Sequence, residues 1–356
     1  MTKRTDRRRD AIRVVHMLAD PSARTGRAVD NPYAVLLVDS LPAARIRSRY
    51  FRWRGLLVDG FDVLHVHWPE VSLHHPTRGG RAVKAILFAA FLTRVRLQRK
   101  AVVRTVHNLQ PHEPTGQIQA RLIGHLDRLT TLWIVLNPAT PTPDQTRTVL
   151  IPHGHYRTWY RERSDVPTVA GRLLSFGMIR PYKGIEELIV AFRGVPTEAF
   201  GLRVVGEPRD TATAERLAEL AGADTRIGLE LRFVDDDALI AEIMAAEIVV
   251  LPYRALHNSG AALLALSYGK PVIVPSNDAT EQLAQEFGRE WVATYPDELD
   301  AARLDGMIAS VRSSRRDAAG PDMSRREWGP IGLLHADAYE AACQLTGGRR
   351  RTEPVS

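Results

Sequence analysis

The chain has 356 residues, of which 44% are hydrophobic and 25% charged, a composition that suits a soluble protein of about two domains and excludes a disordered or fibrous chain. Its net charge of +7 favours acidic partners, but much of the basic excess lies in TKRTDRRRD and GGRRRT near the termini, and no nucleic-acid recognition motif accompanies it. A single cysteine, Cys343, excludes an intrachain disulfide framework and suits a reducing cytoplasm.

No apolar leader with a cleavage site follows the basic start, so no signal peptide is expected. The most lipophilic run, AILFAAFL at 85–92, is far shorter than the roughly 20 residues of a membrane span.

In chain order, IRVVHML (12–18) reads as a strand. A polar loop follows, carrying Asp20, and Asn31-Pro32-Tyr33 opens a helix through YAVLLVDSL. DVLHVHW (62–68) is a second strand; Glu70 lies just past it, and His65 and His67 share one face because strand side chains alternate. RAVKAILFAAFLTRVRLQ (81–98) is a helix with a wide apolar face, packed on a sheet or, with its basic flank, laid on an anionic membrane. AVVRTVHN (101–108), LWIVLN (132–137) and TVLIPHG (148–154) are strands, with His112 and Glu113 in the loop after the first of them. His153 and Gly154 stand at the junction with a linker, YRTWYRERSDVPTVAG.

A second alternating series then begins. Strands are read at RLLSFGMI (172–179), LRVVGEP (202–208), LELRFV (229–234), IVVLPY (248–253) and PVIVPS (271–276), and helices at 184–195, 213–223 and 235–247. Between strand and helix, Gly177, Arg180, Lys183 and Gly184 form a turn whose two cations suit a diphosphate. A further helix, between IVVLPY and PVIVPS, enters through Asn258, Ser259, Gly260 and Ala261, where unpaired N–H groups and the macrodipole favour an anion. An ordinary cap at Asn258 or Ser259 is the alternative. REWGPIGLLHADAYEAA (326–342) is a C-terminal helical segment, in which Trp328 is read as packing.

The segments SFGMIRPYKGIEELIVAF, LRVVGEP, AAEIVVLPY and NSGAALLALSYGKPVIVP resemble the donor-binding domain of GT-B glycosyltransferases, family 4 and its relatives in particular. DVLHVHWPE, TVHNLQPHE and IPHGHY match the first domain more loosely. The resemblance implies two doubly wound Rossmann-like domains facing each other across a cleft. It assigns 1–160 to an acceptor-side domain, 161–325 to a nucleotide-sugar domain, 326–346 to a helix crossing back, and 347–356 to a disordered tail. It implies hexosyl transfer from a GDP- or UDP-linked sugar to a hydroxyl of a glycan, glycolipid or small natural product, with no obligatory cofactor and no metal. Arg180, Lys183 and the Ser259–Ala261 backbone would hold the diphosphate; His107 would contact the donor sugar. Phe233, Val234 and Tyr253 are further donor-side candidates. Glu70 ranks first as the base, with Asp20 and Glu113 as alternatives. Tyr33, Asn31, His67 and Trp68 are candidates for the acceptor side.

Retaining family-4 enzymes carry two glutamates across the NSG segment; here those places fall at Leu264 and near Leu256. This points toward bacterial β-mannosyltransferase-like relatives that act on lipid-linked glycans, and toward inversion. A retaining transferase and a catalytically silent nucleotide-sugar binder are the alternatives. The expected place is the cytoplasm, with contact to the inner membrane face.

Overall fold

The computed structural model describes residues 11–18, 32–55, 59–108, 116–160, 166–253 and 257–347. The chain divides into two compact units, Met1–Gly154 with Arg326–Ser356, and His155–Arg325. The first boundary falls ahead of the expected one at 160/161. Asp20, Asn31, His112, Glu113, Leu256 and the tail from residue 348 lie outside the described residues.

The first unit runs β1 (Ile12–Met17), α1 (Pro32–Ser40), β2 (Ile46–Tyr50), β3 (Val63–Val66), α2 (Pro69–Leu73), α3 (Arg78–Leu97), β4 (Ala101–Val106), α4 (Gln117–Leu129), β5 (Leu132–Val135) and β6 (Thr148–Leu150). The second runs β7 (Arg172–Phe176), α5 (Ile185–Arg193), β8 (Gly201–Val205), α6 (Thr211–Ala221), β9 (Ile227–Glu230), α7 (Asp236–Ala245), β10 (Ile248–Val250), α8 (Gly260–Ser267), β11 (Val272–Pro275), α9 (Asp278–Phe287), β12 (Val292–Tyr295) and α10 (Ala301–Ser313). A last helix, α11 (Trp328–Leu345), belongs to the first unit, where it packs on α1, β3 and β4.

Both sheets are parallel, which requires a crossover after each strand and helices on both faces. Their orders are β2-β1-β3-β4-β5-β6 and β12-β11-β10-β7-β8-β9. The order reverses between β1 and β3 in one and between β7 and β10 in the other; ligands of such sheets bind beyond the carboxyl ends of strands at these reversals.

Alternation sorts the first sheet's side chains. Val14, Val63, Ala101 and Val103 pack with α1 and α11, while Val15, Leu64, Val66 and Val102 pack with Phe88, Phe91, Leu92 and Val95 of α3. The run 85–92 is thus divided: Phe88, Phe91 and Leu92 are core, whereas Ile86 is 69% exposed. Most expected strands end earlier than read; IVVLPY, for example, stops at Val250 and RLLSFGMI at Phe176. TVLIPHG is extended only through Leu150, and LELRFV ends at Glu230, leaving Phe233 and Val234 in a loop past the edge strand β9.

α11 lies so close to α1 that a Cβ on Gly332 would stand 2.0 Å from the Ser40 carbonyl oxygen. Arg45 adds ion pairs to Asp337 at 2.5 Å and Glu340 at 3.1 Å. Gly332→Ala gains about 1 kcal/mol of helix propensity but forces two backbones apart, which costs roughly 1–3 kcal/mol or more. Denaturant melts are expected to show Gly332→Ala destabilised. Gly329→Ala, with nothing within 4 Å of its added Cβ, serves as the control and should not be.

Candidate active site

The second unit gathers its charge at the reversal between β7 and β10. β7 ends at Phe176; Gly177 then adopts φ +99°, and a Cβ there would lie 3.0 Å from Lys183 Nζ. A 3-10 turn over Pro181–Lys183 carries the lysine back toward the strand end, and Gly184 at φ +65° opens α5. Gly184 is required twice: its φ is left-handed, and a Cβ would meet the Pro252 carbonyl oxygen at 2.3 Å. This contact brings the end of β10 against the turn. Tyr253 follows, its hydroxyl donating to the Phe176 carbonyl at 3.4 Å and its ring 4.7 Å beneath Lys183 Nζ.

Neither cation has a carboxylate partner among the described residues. Arg180 donates to the Ile179 carbonyl at 2.8 Å and reaches the Met178 sulfur at 3.7 Å. Burial, and then the charge of Arg180, lower the Lys183 ammonium to about 8. Other arginines of this unit are neutralised: Arg203 binds Glu242 at 2.7 Å, Arg172 pairs with the same carboxylate, and Arg226 binds Asp224 at 2.8 Å.

α8 begins at Gly260. Ser259 is its cap: the side chain accepts from the Ala262 N–H at 3.1 Å, and its carbonyl accepts from Leu263 N–H. The N–H groups of Gly260 and Ala261 are left without a protein partner among the described residues. A Cβ at 260 would stand 2.9 Å from the Tyr156 hydroxyl, so the entrance stays narrow and bare. Leu264 is buried at 6% exposure within α8, so the position expected of a carboxylate is occupied by core packing.

In the first unit, alternation places His16, His65, His67, Thr105 and His107 on the face covered by α1 and α11. His65 Nδ1 lies 2.8 Å from the Tyr339 hydroxyl and Nε2 2.8 Å from Thr105 Oγ1. His67 Nδ1 lies 3.1 Å from His107 Nε2. Trp68 stacks on His107 with ring centres 4.0 Å apart, and Tyr33 meets His107 edge-on at 4.9 Å. Burial first, and then mutual repulsion, hold His65, His67 and His107 well below the usual imidazole range; His16 is lowered to about 3. These rings are neutral hydrogen-bonding groups at physiological pH.

His16, His65 and His67 bring a nitrogen each within 4.8 Å of one another. Both nitrogens of His65 are already engaged by hydroxyls, however, so a metal would have to displace one of two short hydrogen bonds.

Glu70 sits in the first turn of α2. Its charge acts on Arg104, whose guanidinium is lowered chiefly by burial and raised by Glu70. Arg104 alternates with Val103 and Thr105, so it faces the other side of the sheet, where it pairs with Asp127 of α4. Thus His67, Trp68, His107 and Tyr33 come together, and Glu70 acts on Arg104 through its charge alone.

The model of the family described as glycosyl transferases group 1 matches residues 158–310. A GDP-mannose:glycolipid 4-beta-D-mannosyltransferase of Xanthomonas campestris pv. campestris is 44% identical over 338 residues, covering 94% of each chain. The chain is a group 1 glycosyltransferase. Sucrose-phosphate synthase from Thermosynechococcus elongatus superposes with a TM-score of 0.59 at 18% identity, covering 94% of this chain and 97% of the other. Anabaena Alr3699/HepE in complex with UDP superposes with a TM-score of 0.57 at 14% identity, covering 95% and 98%. These likenesses show the fold, the pair of Rossmann-like sheets of the GT-B class.

The glycosyltransferase moves a hexosyl group from a nucleoside-diphosphate sugar to an acceptor hydroxyl. Of the expected donor-side residues, Gly177 and Tyr253 both lie against Lys183. Phe233 is 39% exposed, and it and Val234 follow an edge strand two places from β7. Tyr33 and His67, expected on the acceptor side, are buried at 2% and 3% exposure and form packing around His107. Sequence reasoning missed Thr105, Tyr339, His335 and Tyr156. The spacing of His335 and Tyr339 was the available signal, since residues four apart share a helix face.

An ammonium lowered to about 8 gives a signed expectation for the glycosyltransferase. Lys183 is charged below that pH, and a bound phosphate favours the charged form, so binding above it takes up a proton. Calorimetry with UDP or GDP is expected to give steady affinity below about pH 8, falling above it by up to about tenfold per unit. Lys183→Arg should flatten the curve. An affinity constant from pH 7 to 9.5 in the unaltered enzyme would contradict the assignment.

Proposed function

We propose that this enzyme transfers mannose from GDP-mannose to a hydroxyl of a lipid-linked saccharide with inversion at the anomeric carbon. The observation that carries the donor assignment is the pair of uncompensated cations at the end of β7; the curated relative's name supplies the base, the sugar and the acceptor class. In the reaction the acceptor oxygen forms a bond to the anomeric carbon as the bond to the donor phosphate breaks, and the electron pair leaves with the diphosphate. Arg180, Lys183 and the N–H groups of Gly260 and Ala261 stabilise that leaving charge. No obligatory metal is invoked, because fixed protein charges perform this task. His107 contacts the donor sugar, with Trp68 beside it on the acceptor side.

Glu70 takes the acceptor proton, with Asp20 the alternative. Leu264 supports inversion, since the family-4 carboxylate is replaced by a buried aliphatic side chain. The first-unit helices supply a reason for a lipid-linked acceptor. Val83 and Ile86 of α3 are 57% and 69% exposed among Arg81 and Lys84, a basic and apolar stripe suited to an anionic membrane surface. Among the described residues no helix is long and apolar enough to cross a membrane, so this contact is peripheral.

Transfer from radiolabelled GDP-mannose to a lipid-linked oligosaccharide panel tests the reading. A β-mannosyl product is expected. Glu70→Gln should lower kcat by about 10²–10⁴-fold, the usual worth of a general base. Hydrolysis-free donor binding with no transfer would favour the silent-binder alternative, and an α-linked product would refute inversion. Cosedimentation with vesicles containing anionic lipid should weaken about tenfold or more in Ile86→Glu, as expected from losing a buried aliphatic side chain. Binding indifferent to that change removes α3 from the interface.

A further inference from the structure

The bond between His67 and His107 joins two buried rings from neighbouring strands, at the β3 and β4 carboxyl ends, and its direction is legible from what surrounds it. A neutral imidazole has one N–H and one bare nitrogen. His67 Nε2 is buried and has no hydrogen-bond partner among the described residues. If His107 donated to His67 Nδ1, His67 would carry its proton on Nε2, as a buried N–H with nothing to accept it. Orphaned buried N–H groups are rarer than unused buried acceptors, because the donor loses its full hydration. The cheaper arrangement has His67 Nδ1–H donating to His107 Nε2. His107 then carries its own proton on Nδ1.

The surroundings hold this arrangement in place. Trp68 stacks on one ring at 4.0 Å, Tyr33 meets its edge at 4.9 Å, and His65, fixed by two hydroxyls, lies 4.0 Å from His67 between ring centres. We propose that His67 is a positioning residue that fixes the Nδ1–H tautomer and the ring plane of His107, so that His107 presents a donor and not a lone pair to the oxygens of the sugar nucleotide. This rests on the reading that His107 contacts the donor sugar. It assigns His67 no contact with substrate.

Asparagine separates positioning from packing, since its amide N–H occupies nearly the place of Nδ1–H, whereas leucine keeps the bulk without the donor. Histidine-selective 15N spectra of the full chain should show His107 protonated on Nδ1 in the free enzyme. His67→Asn should keep that tautomer and retain kcat within about threefold. His67→Leu should mix the tautomers and lose about 10²-fold in kcat, as a misplaced group near the reacting centre does, with little change in donor KM. A His107 spectrum showing the proton on Nε2, or equal kcat losses in the Asn and Leu variants, overturns the proposal. Unimpaired transfer by His107→Ala would instead remove the donor-contact reading, and the 15N spectrum of the free enzyme would still report whether His67 sets the tautomer.

Discussion

Positive charge held without a counter-charge is the constraint on which the rest of the proposed donor site depends. A half-covered cation ordinarily finds a carboxylate, as Arg203 and Arg226 of the second unit have done. Lys183 instead lies over the Tyr253 ring, next to Arg180, at the one place in the sheet where strand order reverses. Glycines at 177 and 184 are what make this possible: one leaves room for the lysine to fold back, the other lets the turn touch the carbonyl at the end of β10. Burial, and then repulsion from Arg180, lower the lysine toward neutrality, a cost that the proposed diphosphate would offset.

The first unit solves the opposite problem. It buries at least five imidazoles on one face of a sheet and keeps them all uncharged. Neutral rings can be stacked and hydrogen-bonded in series, giving direction and rigidity without the cost of a buried ion. α11 takes part in this: Tyr339 anchors His65, and Gly332 allows the helix to approach α1 closely enough to do so. A polar network of this kind specifies geometry, which is what a transferase must supply at a reacting carbon.

Much of the fold was legible because central strands of parallel sheets are continuous apolar runs; β1, β3, β4, β7, β8 and β11 all read that way. β2 was not seen, since IRSRY is an edge strand with arginines alternating along it. α4 escaped notice for a related reason: Leu126 is its one buried residue, and its remaining surface is mixed. LELRFV was carried too far because its alternation of apolar and charged residues continues to Phe233, although pairing with β8 ends at Glu230. At the site, the cations and the NSG entrance stood out through local chemistry. The His67–His107 bond spans 40 residues and the His65–Tyr339 bond 274, and separations of that size carry no local signal.

The central claim is that a diphosphate docks on the unpaired cations of the second unit. A crystal structure of the full chain with GDP bound tests it most directly. The account requires diphosphate oxygens within hydrogen-bonding distance of Lys183 Nζ, the Arg180 guanidinium and the N–H groups of Gly260 and Ala261. A nucleotide seated elsewhere, with Lys183 still resting on Tyr253 and touching no phosphate, would contradict it.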